Sequence, residues 1–210
     1  MTDKTYWENY YAQHNQPFQP SPFAQECQKK YLSAGMTLLE LGCGNGRDAV
    51  FMANHGLNVI AVDQCQQEID FLNGLIVRNN LFFDKQDFSQ LPYRGKFDAI
   101  YSRFTLHAIT HPQEQRTIKW SAEHLKNGGF LLIEARGTQN EYFGKGKKVQ
   151  NEENAFIYEG HYRRFLDQKQ TVQQIEDSGL KIVSADEKKG RAPFNGTDYK
   201  FLRIIAQKTR

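Results

Sequence analysis

The chain has 210 residues, a formal net charge of +3 and 39% apolar residues, enough for one domain with a sizeable core. Apolar runs such as FLLI (130–133) fall far short of the roughly 20 residues that span a bilayer, and the mild charge lacks the basic stripe of a nucleic-acid binder. Three scattered cysteines (Cys27, Cys43, Cys65) without a Cys-x-x-Cys pair exclude a disulfide framework or a cysteine zinc site, and MTDKTYWENYY lacks signal-peptide character, so a cytoplasmic location is expected.

Residues 1–35 are aromatic and polar (Tyr6, Trp7, Tyr10, Tyr11), and Pro17, Pro20 and Pro22 forbid a continuous helix. A short helix is expected on either side, the second over AQECQKKYL, and the segment reads as an N-terminal helical cap or lid. Regular alternation begins at Thr37. TLLEL (37–41) is a strand buried on both faces, GCGNG breaks it, and RDAVFMANHG reads as a helix ending at Gly56. NVIAVD (58–63) is a second strand, followed by a helix over 66–79; LFFDKQDF (81–88) is a third and FDAIYS (97–102) a fourth. A helix over 112–129, closed by glycines, leads to a fifth strand, FLLIEAR (130–136). This alternation predicts an α/β fold, a doubly wound, mostly parallel sheet with helices on both faces. Residues 137–160, rich in Gly, Lys and Asn, read as a loop within an insertion of about 137–166. A helix over 168–178 and two final strands, LKIVSADE and YKFLRIIAQK, suit an antiparallel pair at the sheet's end. The main domain is thus 36–210.

Gly42, Gly44 and Gly46 stand at the C-terminal end of the first strand, where ligands sit in a doubly wound sheet. Glycine lets the backbone approach a ligand and aim its N–H groups at it. Asp63 ends the second strand, where a carboxylate can accept from two ribose hydroxyls. The pattern is G-x-G-x-G preceded by Glu40, not G-x-G-x-x-G, and there is no Tyr-x-x-x-Lys pair. A pyrophosphate-binding turn has little use for an acid at that position, whereas a cationic ligand with an amino group does. These features argue against a nicotinamide-dependent reductase.

From 37 to 136, in order, LLELGCGNGRD, VIAVD, KQDF and FDAIYS resemble the class I S-adenosylmethionine-dependent methyltransferases, whose fold is Rossmann-like. The resemblance implies that Gly42, Gly44 and Gly46 wrap the methionine portion of S-adenosylmethionine and that Glu40 meets its amino end. It implies Asp63 on the ribose, Asp87 with Phe88 on the adenine, and Ser102 where the sulfur passes. Asp84 is a rival to Asp87. YWENYY, SPFA, SRFTLHAI, IEARG, GHYRRF and RIIA are also similar to tellurite-resistance methyltransferases and to the methyltransferase part of enzymes that cap bacterial O-antigen chains. This implies a small-molecule or glycan acceptor.

SRFT replaces the Asn/Asp-Pro-Pro-aromatic turn that grips an exocyclic base amine, and neither a Pro-Cys pair nor an acid-rich magnesium site is evident. His107, after the fourth strand, is a candidate general base or else a core-packed histidine. His107 and His111 are four apart, but Pro112 favours a loop there, so no metal is expected. Arg136 and Arg103 end strands on the ligand-binding edge. EGHYRRF (159–165) places His161, Arg163 and Arg164 over the same opening, and arginine grips phosphate or carboxylate in bidentate fashion. Neighbours in an extended chain point opposite ways, so one of the two arginines is expected to face away. The function expected is methyl transfer to a small, anionic or carbohydrate-linked acceptor. The alternatives are a tellurite or other detoxifying methyltransferase, or a protein that binds S-adenosylmethionine without turnover. Oligomeric state has no sequence signal.

Overall fold

The computed structural model describes residues 19–193 and 196–209; the helix expected before Pro17 lies outside them. Helix α1 (Pro22–Tyr31) starts where Ser21 caps it, its hydroxyl accepting from the Ala24 N–H at 3.0 Å, with Pro22 in the first turn. Then follow β1 (Thr37–Leu41), α2 (Arg47–Asn54), β2 (Asn58–Asp63), α3 (Gln66–Leu75), β3 (Leu81–Lys85) and β4 (Phe97–Arg103). A 3-10 turn (Leu106–Ala108) leads into α4 (His111–His124) and the long β5 (Leu125–Ala135). Next come β6 (Lys147–Lys148), β7 (Ala155–Tyr158), β8 (His161–Arg164), α5 (Gln168–Asp177), β9 (Leu180–Lys188) and β10 (Phe201–Lys208).

The seven-stranded sheet has the order β3-β2-β1-β4-β5-β10-β9, with β10 antiparallel to both neighbours and β1–β5 parallel. Alternate strand residues feed two cores, because successive side chains point to opposite faces. Leu38, Tyr101 and Leu132 pack with Phe23, Met52 and Leu72 of α1, α2 and α3. Leu39, Ile100 and Ile133 pack with Ile118 and Ile175 of α4 and α5. The expected doubly wound sheet with an antiparallel strand at its end is the observed one.

Three boundaries differ from the sequence reading. The helix after β2 stops at Leu75 rather than near 79, because Ile76 already has extended dihedrals. The helix expected over 112–129 ends at His124, and β5 begins at once. The glycines instead form an irregularity in β5, where pairing jumps from Phe97–Leu125 to Ala99–Phe130. Gly128 has φ 82° and a Cβ on Gly129 would stand 2.9 Å from the Asp98 carbonyl oxygen. The segment read as a loop over 137–160 carries β6, β7 and the turn into β8, a three-stranded antiparallel sheet. Its hairpin turns at Glu159-Gly160 between paired Tyr158 and His161, both turn residues having positive φ (53° and 73°), the type I′ geometry. A parallel bridge, Gly137–Leu166, and the Leu166 N–H bond to the Arg136 carbonyl at 3.0 Å fix this small sheet beside the end of β5.

Candidate active site

The first half of the site lies where β1, β2 and β4 end. After Leu41 the chain turns through Gly42, Gly44 and Gly46, all left-handed. Two of these turns have no room for a side chain. A Cβ on Gly42 would meet Thr105 Cγ2 at 2.3 Å, and one on Gly46 would meet the Phe83 ring at 2.9 Å. The Asp63 carboxylate fastens the turn, Oδ2 accepting from the Gly44 N–H at 3.0 Å and Oδ1 from the Cys65 N–H at 2.9 Å. The Gln64 N–H is a third backbone donor to it, and a carboxylate with about four lone-pair sites still has room for an outside donor. Burial raises the Asp63 carboxyl despite those backbone bonds.

Glu40 points from β1 into the same region and is buried, and its Oε2 accepts no hydrogen bond. Burial, reinforced by the Asp48 carboxylate, holds the Glu40 carboxyl well above the usual range. Asp48, in the first turn of α2, is in the opposite condition. It accepts from the Ser21 N–H and hydroxyl, both at 2.7 Å, and from the Tyr101 hydroxyl at 2.8 Å. The orphaned, buried oxygen of Glu40 therefore suits a cationic donor, and the ammonium of S-adenosylmethionine is one.

Asp87 is exposed, and its Oδ1 accepts from the Ser89 N–H and hydroxyl at 2.8 Å each. Asp84, the rival, is bonded by Tyr93 and by the Gln86 amide at 3.1 Å. Phe88 is half-buried, its ring 3.7 Å from where a Gly42 Cβ would stand. Ser102 is buried and shares a 2.6 Å hydroxyl contact with Thr105. Thr105, which also abuts Gly42, had no signal in the sequence.

The second half lies beyond β4 and β5. Phe104 takes a left-handed φ of 59°, uncommon for a bulky residue, and its ring packs on Phe201 at 4.8 Å. His107 is buried in the turn that follows, and its Nδ1 accepts the Arg136 backbone N–H at 3.2 Å. Burial pushes the imidazole well below its ordinary range, and the guanidiniums of Arg136, Arg163 and Arg164 push the same way. A neutral ring whose Nδ1 accepts must hold its proton on Nε2. As placed, His107 is a buried histidine that offers a donor at Nε2.

His161 and Arg163 share one face of β8 with Phe156 and Tyr158 of β7, and Arg164 takes the other. Arg163 lies 5.4 Å from the Tyr142 ring and 5.7 Å from that of Tyr158, and its Nη1 is buried without a hydrogen-bond partner. Arg164 is built into the scaffold. It is 4% exposed, ion-paired with the buried Glu114, and donates to the carbonyls of Ile109 at 3.0 Å and Leu106 at 3.2 Å. Those bonds fix the turn that carries His107. Arg136 donates to the Asn140 side-chain oxygen at 3.2 Å and lies over the Tyr142 and Phe201 rings.

Arg103 is tied into the sheet by an ion pair and lies over the Phe104 ring at 4.0 Å. Arg103, Glu134 and Arg203 face one another across β4, β5 and β10, and Glu134 accepts from both arginines, at 2.9 and 2.6 Å. His111 lies at the start of α4, 3.5 Å from Glu114, and does not join His107. No helix among the described residues is long and apolar enough to cross a membrane.

This fold, with its glycine turn, buried strand-end acids and orphaned Glu40 oxygen, defines a class I S-adenosylmethionine-dependent methyltransferase domain. Residues 11–185 match the model of a methyltransferase domain family, and the chain belongs to that family. A cypemycin N-terminal methyltransferase of Streptomyces is 28% identical over 102 residues, 48% of this chain and 42% of that protein. A probable S-adenosyl-L-methionine-dependent methyltransferase, TehB of Haemophilus influenzae, is 29% identical over 47% of this chain and 35% of its own. Phosphoethanolamine N-methyltransferase 1 of Triticum aestivum is 30% identical over 184 residues, 83% of this chain and 32% of that protein. The chain thus spans less than half the length of each of these relatives. Among solved structures, a methyltransferase of Methanosarcina mazei superposes with TM-score 0.74 at 21% identity, over 86% of this chain and 96% of the other. A Burkholderia thailandensis 1,6-didemethyltoxoflavin-N1-methyltransferase with bound S-adenosylhomocysteine gives 0.70 at 14% identity, over 100% and 88%.

Proposed function

We propose that this domain transfers a methyl group from S-adenosylmethionine to a small acceptor that carries an anionic group. Glu40 and Asp63 hold the cofactor's ammonium and ribose, the turn from Gly42 to Gly46 wraps its methionine portion, and Asp87 and Phe88 receive the adenine. Ser102 stands near the sulfur. Bound S-adenosylmethionine supplies an activated methyl group. The chain's own part is to align the acceptor atom and exclude water from it, which is worth several kcal/mol of barrier.

The observation that carries the acceptor assignment is Arg163. Its Nη1 is buried with no acceptor, a costly state that a carboxylate or phosphate oxygen relieves. Arg136 and the Nε2–H of His107 supply further donors beside it, and His161 completes the polar wall. Arg164 contributes by fixing the His107 turn. An acceptor that arrives as an anion also meets a cationic donor favourably and needs no proton removed at its charged atom. A carbohydrate-linked acceptor fits this reading when its sugar bears such a group. The name of the wheat relative, which specifies phosphoethanolamine, accords with it.

The test is release of S-adenosylhomocysteine from S-adenosylmethionine across small carboxylates and phosphates, each paired with a neutral isostere. Turnover of the anionic members alone is expected. Equal turnover of the neutral partners overturns the assignment.

A further inference from the structure

Tyr142 was absent from the sequence-derived site, yet it is where the basic groups of the second half of the site converge. Three cations surround its ring, Arg136 at 5.2 Å, Arg163 at 5.4 Å and Lys145 at 4.8 Å from the centroid. All are within the roughly 6 Å over which a ring face attracts a cation. Like charges so close repel one another, and one neutral ring offsets only part of that.

The Glu159 carboxylate meets the Tyr158 hydroxyl on the Arg163 side of these rings. Among the described residues neither Arg163 nor Lys145 forms an ion pair. Glu141, next in sequence to Tyr142, turns its carboxylate to the Lys200 N–H at 2.9 Å and to Lys189 at 3.5 Å. Asn140, a buried neutral amide, accepts from both Arg136 Nη1 at 3.2 Å and the Tyr142 backbone N–H at 3.1 Å, and so ties the guanidinium and the Tyr142 backbone to one atom. Its own amide is anchored on the Lys200 carbonyl at 2.6 Å. The Tyr142 ring is held edge-on by Tyr199 at 5.0 Å and flanked by Tyr158 at 5.8 Å. Rings and neutral hydrogen bonds thus stand among the cations around Tyr142.

Resting on the anionic-acceptor reading, we propose that Tyr142 is a positioning residue that gathers Arg136, Arg163 and Lys145 into a site for a doubly charged anion. The acceptor class is then a phosphate monoester rather than a simple monocarboxylate. A carboxylate offers one charge to this set, whereas a phosphate offers nearly two and three acceptor oxygens in different directions.

The test titrates the full chain, saturated with S-adenosylhomocysteine, with inorganic phosphate, sulfate and acetate at about pH 7.5 and pH 6. Phosphate and sulfate are expected to bind at least about 10-fold more tightly than acetate at the higher pH. Phosphate should weaken at the lower pH as its second proton returns, while sulfate keeps two charges, which separates the ion's titration from that of His161 or Glu159. Tyr142→Phe should keep phosphate affinity within about 2-fold, and Tyr142→Ala and Arg163→Gln should each lose about 10-fold with S-adenosylhomocysteine affinity unchanged. Acetate binding as well as phosphate, no phosphate binding, or an unaffected Tyr142→Ala variant each overturns the proposal. Failure to bind S-adenosylhomocysteine would instead overturn the functional reading on which it rests.

Discussion

The backbone N–H of Arg136 donates to Nδ1 of His107, and that 3.2 Å contact fixes what the histidine can do. A ring that accepts at Nδ1 carries its proton on Nε2, and burial among guanidiniums keeps it from gaining a second. His107 is expected to stay neutral, with the Nε2–H tautomer, well below the pH at which an ordinary imidazole gains its proton, which nitrogen-15 shifts of the ring report. The sign for stability follows from linkage. A lowered folded-state value means that the unfolded chain binds the proton more readily, so stability falls as pH drops below the ordinary value near 6.5. His107→Gln, which retains a side-chain N–H, should keep more activity than His107→Ala.

Glu40 predicts a pH effect of the opposite sign. Its carboxyl is raised by burial and by Asp48, so it binds its proton more tightly in the unliganded fold than in the unfolded chain. Its contribution to stability is present below the ordinary carboxylate value and is lost as pH rises through the raised one. An ammonium arriving at Oε2 favours the ionised form, so cofactor binding releases a proton and tightens as pH rises. Calorimetry at one pH in buffers of different ionisation enthalpy should count roughly one proton released at most, and Glu40→Gln should release none.

Adjacent arginines are expected to separate cleanly in stability. Arg164→Ala takes from the buried Glu114 its guanidinium partner and leaves it His111 at 3.5 Å and the Thr171 hydroxyl at 3.4 Å, which costs up to about 3–5 kcal/mol. Arg163→Ala removes a group without an ion pair among the described residues and should change urea stability by less than about 1 kcal/mol. A comparable loss in both variants would contradict the different roles given to them.

Much of this was legible beforehand, for a physical reason. The glycine turn, Glu40 and Asp63 sit at strand ends, where local pattern alone dictates position. The fold follows from the same alternation of buried strands and helices. The small sheet did not show, because Glu159 is an unusual first residue for a two-residue hairpin turn that favours asparagine or glycine, and the lysines and glycines before it read as loop. Nor did Asp48, which ties Ser21 to Tyr101 across distant parts of the chain, or Thr105 and Tyr142. Their roles depend on which residues long-range packing brings beside them. The tautomer of His107 is likewise set by a backbone N–H 29 positions away.

Gly42 and Thr105 form a steric pair that a double substitution can separate. Gly42→Ala drives a methyl to 2.3 Å from Thr105 Cγ2 and adds a left-handed backbone penalty, together about 2 kcal/mol or more. Thr105→Ser removes that methyl and keeps the hydroxyl that meets Ser102. Added to Gly42→Ala, it should recover part of the lost stability and cofactor affinity in thermal melts and calorimetry. The backbone part should remain.

The acceptor assignment is tested most directly by steady-state kinetics of Arg163→Ala on the best anionic acceptor. KM for the acceptor should rise about 10-fold or more while S-adenosylhomocysteine affinity stays at the unsubstituted value. An unchanged KM, or a loss of cofactor affinity instead, would contradict the placement of Arg163 at the acceptor's anionic group.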